Sequence, residues 1–355
     1  MSYISNVRVV EPYTPGEQPQ VSNIVKLNTN ECPYPPSRMV KKAIDNMEYE
    51  KLRLYPDPNC SILVDAIAKR YGVGKKNVFV GVGSDEVLAL AFLTFFNSKK
   101  PILFPDITYS FYEVWATLYN ISYKCMPLDS ELRINKYDYI DNENGGVIFP
   151  NPNAPTGVLE SLDTIEEIIK ANSEVVVIID EAYIDFGGLS AIELVDKYEN
   201  LLVVQTCSKS RAMAGMRIGY AIGNEKLIKY LLDVKFSFNS YTMNMPSLIA
   251  GVKVFEEDEY FKDITNKITD TRSRVEKELT NLGFEYPKSS ANFIFATHPE
   301  VKAIDIYNEL KENSIFVRYF DKPRIDNYLR ITIGLDEEMD KFIDCVRAYF
   351  KKIKL

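Results

Sequence analysis

Between about residues 46 and 223 the chain alternates short apolar runs with stretches of helical periodicity. The apolar runs predict strands at 78–82, 102–104, 123–126, 147–149, 175–179, 201–205 and 219–222. Several are continuous Val/Ile runs with no alternating polar face, the pattern of strands covered on both sides. Helical stretches intervene. In 86–96, Val87, Leu90, Ala91 and Thr94 fall at helical spacing, and Ser84 and Asp85 just before them offer oxygens to cap the first turn. This alternation predicts the α/β class, with a mostly parallel seven-stranded sheet between two layers of helices.

After about residue 250 the pattern changes. A long charged helical stretch (256–282) leads into short strands at 292–296, 315–318 and 328–333, which predicts a smaller α+β domain. The opening segment, to about residue 38, is rich in Pro, Asn and Tyr without periodicity and reads as an arm lying across a neighbour. The expected division is 1–45 for the arm and part of the small domain, 46–250 for the large domain, and 251–355 for the small C-terminal domain.

Composition narrows the function classes. With 355 residues, 46% of them hydrophobic, the chain is long enough for two cores. No run approaches the roughly 18 uncharged apolar residues of a membrane span, and the first residues lack a basic-then-apolar signal, so a cytoplasmic protein is expected. The five cysteines are scattered without ligand spacing, so free thiols and no metal site are expected. His298 is the only histidine, which excludes His-rich metal sites and leaves one candidate base for a Ser-His or Cys-His pair. Its place beside Pro299 after an apolar strand suits a strand end better. A net charge of −8 opposes a nucleic-acid groove but allows a local pocket for a phosphate-bearing small molecule.

Four segments put polar chemistry directly after apolar runs, where open α/β sheets bind ligands. Thr206, Cys207, Ser208 and Lys209 follow the run 201–205, and Arg217 lies just beyond. Taken alone, such a lysine is more often a solvated loop residue than a carbonyl-attacking amine; two hydroxyls and a guanidinium beside it form a donor set for a phosphate dianion. The run 175–179 ends in Asp180, followed by Glu181, Ala182 and Tyr183. A carboxylate there caps a turn, binds a metal or meets a cationic partner. Residues 151–157 (NPNAPTG) form a rigid turn in almost any fold. Gly83, Ser84, Asp85 and Glu86 open a helix whose first amides attract a phosphate, although the same residues also make an ordinary helix start.

Taken together, these segments resemble the fold-type I aminotransferases, which use pyridoxal 5'-phosphate (PLP). The matching motifs are S-K-x(4)-A-G-x-R-x-G at 208–219, D-E-A-Y at 180–183 and the turn at 151–157. The resemblance implies that Lys209 is the Schiff-base lysine and that Arg217, Thr206 and Ser208 hold the cofactor phosphate. Ser84, Asp85 and Glu86 would join them, mainly through main-chain donors. It also implies Asp180 on the pyridine nitrogen, where it keeps the ring an electron sink, Tyr183 on the phenolic oxygen, and Tyr109 stacked on the ring. The family carries an asparagine immediately before P-T-G that donates to the phenolic oxygen. Ala154 stands there in this chain, so either Asn153 takes over the contact or Tyr183 carries it alone.

Residues 27–31 (LNTNE) and 54–56 (LYP) are similar to the L-N-x-N-E and R-Y-P motifs of the histidinol-phosphate aminotransferases, with Leu54 where arginine is usual. This resemblance implies a homodimer in which Tyr55 reaches the neighbouring site. It implies Tyr13 covering the substrate, Asn30 beside it, Arg330 gripping the substrate anion and Arg318 contacting its phosphate. In the strand 328–333, Leu329, Ile331 and Ile333 face one side and Arg330 the other, which also suits a solvent-facing arginine on an edge strand. The implied reaction moves an amino group between histidinol phosphate or imidazole-acetol phosphate and glutamate or 2-oxoglutarate, with the freed Lys209 amine shuttling the proton. An aromatic-amino-acid aminotransferase and a threonine-phosphate decarboxylase would share nearly every cofactor residue. A PLP-binding regulatory protein would keep the scaffold without turnover; the complete set of Lys209, Asp180, Tyr183 and Arg217 speaks against it.

Overall fold

The computed structural model describes residues 3–14, 16–19 and 23–354. The strands are β1 (Val25–Lys26), β2 (Val78–Val82), β3 (Ile102–Pro105), β4 (Tyr123–Met126), β5 (Val147–Pro150), β6 (Val177–Asp180), β7 (Leu201–Thr206), β8 (Ile218–Gly223), β9 (Phe293–Ala296), β10 (Ile315–Phe316), β11 (Arg318–Tyr319) and β12 (Leu329–Thr332). All seven strands expected in the large sheet are present, in the order β2-β8-β7-β6-β5-β3-β4. β8 runs antiparallel to both of its neighbours, and the other pairs are parallel.

Side-chain alternation accounts for the apolar runs. Phe149, Val177, Ile179, Leu201 and Val203 face one core, while Ile148, Ile178, Leu202 and Val204 face the other. β5, β6 and β7 therefore bury both faces, which an amphipathic strand could not do without unpaired polar groups. A third core joins β9 and β12 to the helices Asp258–Asn281 and Asp336–Lys352 through Val275, Leu279, Phe293, Ile331 and Phe342.

Two expectations need correction. The helix expected at 86–96 is Gly83–Phe95, so Ser84 and Asp85 lie inside its first turn and do not cap it. β2 runs into this helix without an intervening extended residue, and the Glu86 carboxylate reaches back to accept the Val82 amide at 2.6 Å. The strand expected at 315–318 divides at Val317. Its first half pairs in parallel with β1, and its second half pairs antiparallel with β12. The pairing of β1 with β10 places Val25 and Leu27 in the third core.

His298 serves structure. Its Nε2 lies 3.1 Å from the Leu282 carbonyl, its Nδ1 accepts the Glu300 amide at 3.2 Å, and its ring packs on Phe284 and Phe350. Among the described residues the five cysteines are free, no helix is long and apolar enough to cross a membrane, and no cluster of His, Cys, Asp or Glu could hold a metal ion.

Candidate active site

The carboxyl ends of β6 and β7 and the start of the helix Gly83–Phe95 surround a cavity of about 590 Å³, including its mouth. Nine residues singled out in the sequence line it: Ser84, Asp85, Tyr109, Asp180, Tyr183, Thr206, Ser208, Lys209 and Arg217.

One end is built for an anion. The first-turn amides of the helix enter there, with the positive end of its dipole. The Thr206 hydroxyl donates to Ser208 Oγ at 3.0 Å, and the Ser208 amide donates back to Thr206 Oγ1 at 3.1 Å. Arg217 reaches Ser208 Oγ at 3.4 Å and Asp85 Oδ2 at 3.2 Å, and the Tyr109 hydroxyl donates to Asp85 Oδ1 at 2.8 Å. Glycine makes this density possible. A Cβ on Gly219 would stand 2.2 Å from the Gly83 carbonyl carbon, and one on Gly83, at φ +78°, would stand 2.5 Å from Arg217 Nη2.

Asp180 forms the floor. It is 4% exposed, and its carboxylate accepts from the Tyr112 hydroxyl at 2.8 Å and the Ala182 amide at 3.3 Å. Burial drives its pKa up to about 6, assisted by the charge of Asp85 and opposed by those two hydrogen bonds. A buried carboxylate held by neutral donors alone lacks the cation that would stabilise it; a protonated pyridine nitrogen fits that need, and the anion cradle fits a phosphate. Glu181 points away, into a buried network of Ser190, the Ala191 amide and Gln205, where burial lifts it to about 7.

Lys209 rides on a loop closed by the Met213 amide donating to the Cys207 carbonyl at 2.9 Å. The two residues after it pin the loop. Ser210 donates to Asp185, and the buried Arg211 lies between Phe255 (4.5 Å) and Phe261 (4.1 Å). The Lys209 amine donates to the Thr29 carbonyl at 3.1 Å and stands 5.8 Å from the Tyr183 ring.

Arg318 and Arg330 are directly opposed in register on β11 and β12, and both guanidiniums lie over Phe320, at 5.5 and 5.6 Å. Like charges facing each other across strands destabilise a sheet unless an anion joins them. Arg330 spends one donor on the Asn28 carbonyl at 3.0 Å, and its Nε is buried without a partner. Burial, and to a lesser degree Arg318, pulls its pKa below the usual guanidinium value. Tyr13 stacks on Phe111 at 4.2 Å and lines a neighbouring groove with Arg318.

Three residues named from the sequence put no side chain into this cavity, although Glu86 was expected there mainly through its main chain and Tyr55 only at a neighbouring subunit's site. Asn153 turns away from the cavity, donating to the Ile107 carbonyl at 2.9 Å and Thr156 Oγ1 at 3.1 Å, so Ala154 forms the wall instead. The Glu86 side chain is committed to Val82. Tyr55 is 81% exposed, packs on Tyr241 and does not line this cavity. Asn30 is buried and donates to the Tyr183 hydroxyl at 2.9 Å. Sequence reasoning missed Tyr112 and the Thr29 carbonyl. The spacing of Tyr109 and Tyr112, one helical turn apart, is the signal that could have found the first.

Residues 22–346 match the family described as aminotransferase class I and II. A histidinol-phosphate aminotransferase from Brachyspira hyodysenteriae is 50% identical over 352 residues, covering 99% of each chain. A histidinol-phosphate aminotransferase 1 from Hydrogenovibrio crunogenus is 54% identical over 332 residues, 94% of this chain and 93% of that one. Among solved structures, histidinol-phosphate aminotransferase from Sinorhizobium meliloti in complex with pyridoxal-5'-phosphate superposes with a TM-score of 0.83 at 21% identity, covering 91% of both chains.

Proposed function

The chain belongs to the class I and II aminotransferases and, within them, to the histidinol-phosphate aminotransferases, and on that premise we propose that its cavity holds PLP on Lys209. The reaction is amino transfer between histidinol phosphate or imidazole-acetol phosphate and glutamate or 2-oxoglutarate, a step of histidine biosynthesis. One observation carries the site assignment: a lysine amine, a buried carboxylate without a cation and a hydroxyl–guanidinium cradle share one cavity.

Thr206, Ser208, Arg217 and the amides of Ser84 and Asp85 would hold the cofactor phosphate. Asp180 would hold the proton of the ring nitrogen, Tyr183 would donate to the phenolic oxygen, and Tyr109 would cover the ring. When bound, PLP supplies an electron sink for the bond broken at the substrate carbon. With the cofactor in place, the Lys209 Nζ would carry the proton to and from that carbon, steadied by the Thr29 carbonyl. Arg330 and Arg318 receive the substrate's anionic groups, with Tyr13 closing over them.

A homodimer belongs to the same reading. It is supported by the exposed apolar surface around Tyr55, which includes Leu52, Leu54 and Tyr241. The division at 1–45, 46–250 and 251–355 and a cytoplasmic location complete it, supported by the separate cores and the unpaired thiols.

The test is a panel of amino donors added to the PLP-loaded protein, with spectral conversion of the cofactor as readout. Histidinol phosphate is expected to convert it fastest, ahead of phenylalanine and threonine phosphate. Preferred conversion by phenylalanine, or carbon dioxide release from threonine phosphate, would overturn the substrate assignment.

A further inference from the structure

Ala154 presents a methyl group to the cavity where an amide would offer a second donor, and both side-chain donors of Asn153 are spent on Ile107 and Thr156. Under the proposed placement of the cofactor, Tyr183 is left as the side chain able to donate to its phenolic oxygen. The strength of that donation depends on where the Tyr183 proton points.

The hydrogen bonds behind Tyr183 settle its direction. The Asn30 amide N–H donates to Thr332 Oγ1 at 3.0 Å, so the Thr332 hydroxyl proton goes to Asn30 Oδ1, also at 3.0 Å. With Oδ1 accepting, the other end of the side chain is Nδ2, which donates to the Tyr183 hydroxyl oxygen at 2.9 Å. Asn292 fixes the backbone by donating to the Asn30 carbonyl at 3.0 Å. Asn30 sits at φ +56°, a conformation asparagine tolerates better than most side chains. The Tyr183 ring is held edge-on against Phe293 at 5.1 Å. The hydroxyl oxygen is thus occupied from behind, and its proton is free for the cavity. Accepting one hydrogen bond also strengthens the one it donates.

We infer that Asn30 is a positioning residue: it acts through Tyr183 to aim the hydroxyl proton at the cofactor's phenolic oxygen, and so stands in for the amide that Ala154 lacks. This rests on the proposed site and gives Asn30 a role other than touching substrate.

The test reads the pH midpoint at which the visible absorption of the bound cofactor changes, independently of turnover. A donor on the phenolic oxygen draws negative charge from it and lowers that midpoint. Asn30→Gly, which keeps the backbone conformation, is expected to raise the midpoint by about one unit, the equivalent of one hydrogen bond. Tyr183→Phe should raise it at least as much, and the double variant should not exceed Tyr183→Phe. An unchanged midpoint in Asn30→Gly, or a shift that adds in full to that of Tyr183→Phe, overturns the inference. If Asn30→Gly does not fold, Thr332→Val releases the same amide; a smaller shift in the same direction supports the inference and no shift overturns it. Absence of any cofactor band in the unsubstituted protein would sink the cofactor assignment itself, and this inference with it.

Discussion

Replacing Asp180 with Asn in the cofactor-free protein is expected to stabilise it at pH 8 and to change little at pH 4. Burial lifts the Asp180 carboxyl from 3.8 to about 6, against the hydrogen bonds of Tyr112 and Ala182. The folded state therefore keeps this proton to higher pH than the unfolded chain does. Between those two values folding takes up a proton, so stability falls as pH rises through the window, and above it the full cost persists. A shift of about two units corresponds to roughly 3 kcal/mol, or about 4 °C in melting temperature for a chain of this size. Asparagine keeps the shape and an acceptor for Tyr112 but carries no charge. Thermal melts of both cofactor-free proteins from pH 4 to 8 measure the difference; Glu181, lifted to about 7, titrates in both and cancels. Adding PLP should reverse the order, because only the carboxylate gains the ring cation. A difference that does not vary with pH would refute the view of Asp180 as a buried anion awaiting a positive partner.

Gly219→Ala should cost about 1–3 kcal/mol, read by thermal unfolding, because its Cβ would meet backbone atoms of Gly83 and Ser84 that cannot swing aside. Arg217→Lys keeps the charge but loses the fork, and fluorescence titration should show cofactor binding weakened roughly 10- to 100-fold. Arg318→Gln is expected to raise KM for the phosphorylated keto substrate while leaving that for glutamate nearly unchanged; equal increases in both would remove Arg318 from the phosphate.

The large sheet was legible because its central strands bury both faces, which leaves continuous apolar runs such as 177–179 and 201–204. Motif residues on strand ends were legible for a related reason: the sheet aims Asp180 and Thr206 into one cavity whatever the loops do. Side-chain direction within loops was not. Asn153 and Ala154 are adjacent, and which one faces the cavity depends on donors to Ile107 and Thr156 that no local pattern encodes. Nor was the direction of the Glu86 side chain, which turns back to accept the Val82 amide. The Arg318–Arg330 pairing stayed hidden because strand register joins residues far apart in sequence. Arg324 belongs with these: it clamps Asp106 and the Leu128 carbonyl across the fold, at 2.6 and 2.7 Å.

Reducing the PLP-loaded protein with borohydride and locating the added mass by peptide mass spectrometry asks which amine carries the cofactor. The modification is expected on Lys209 alone. A label on any other lysine, or none, would contradict the chemistry assigned to this cavity.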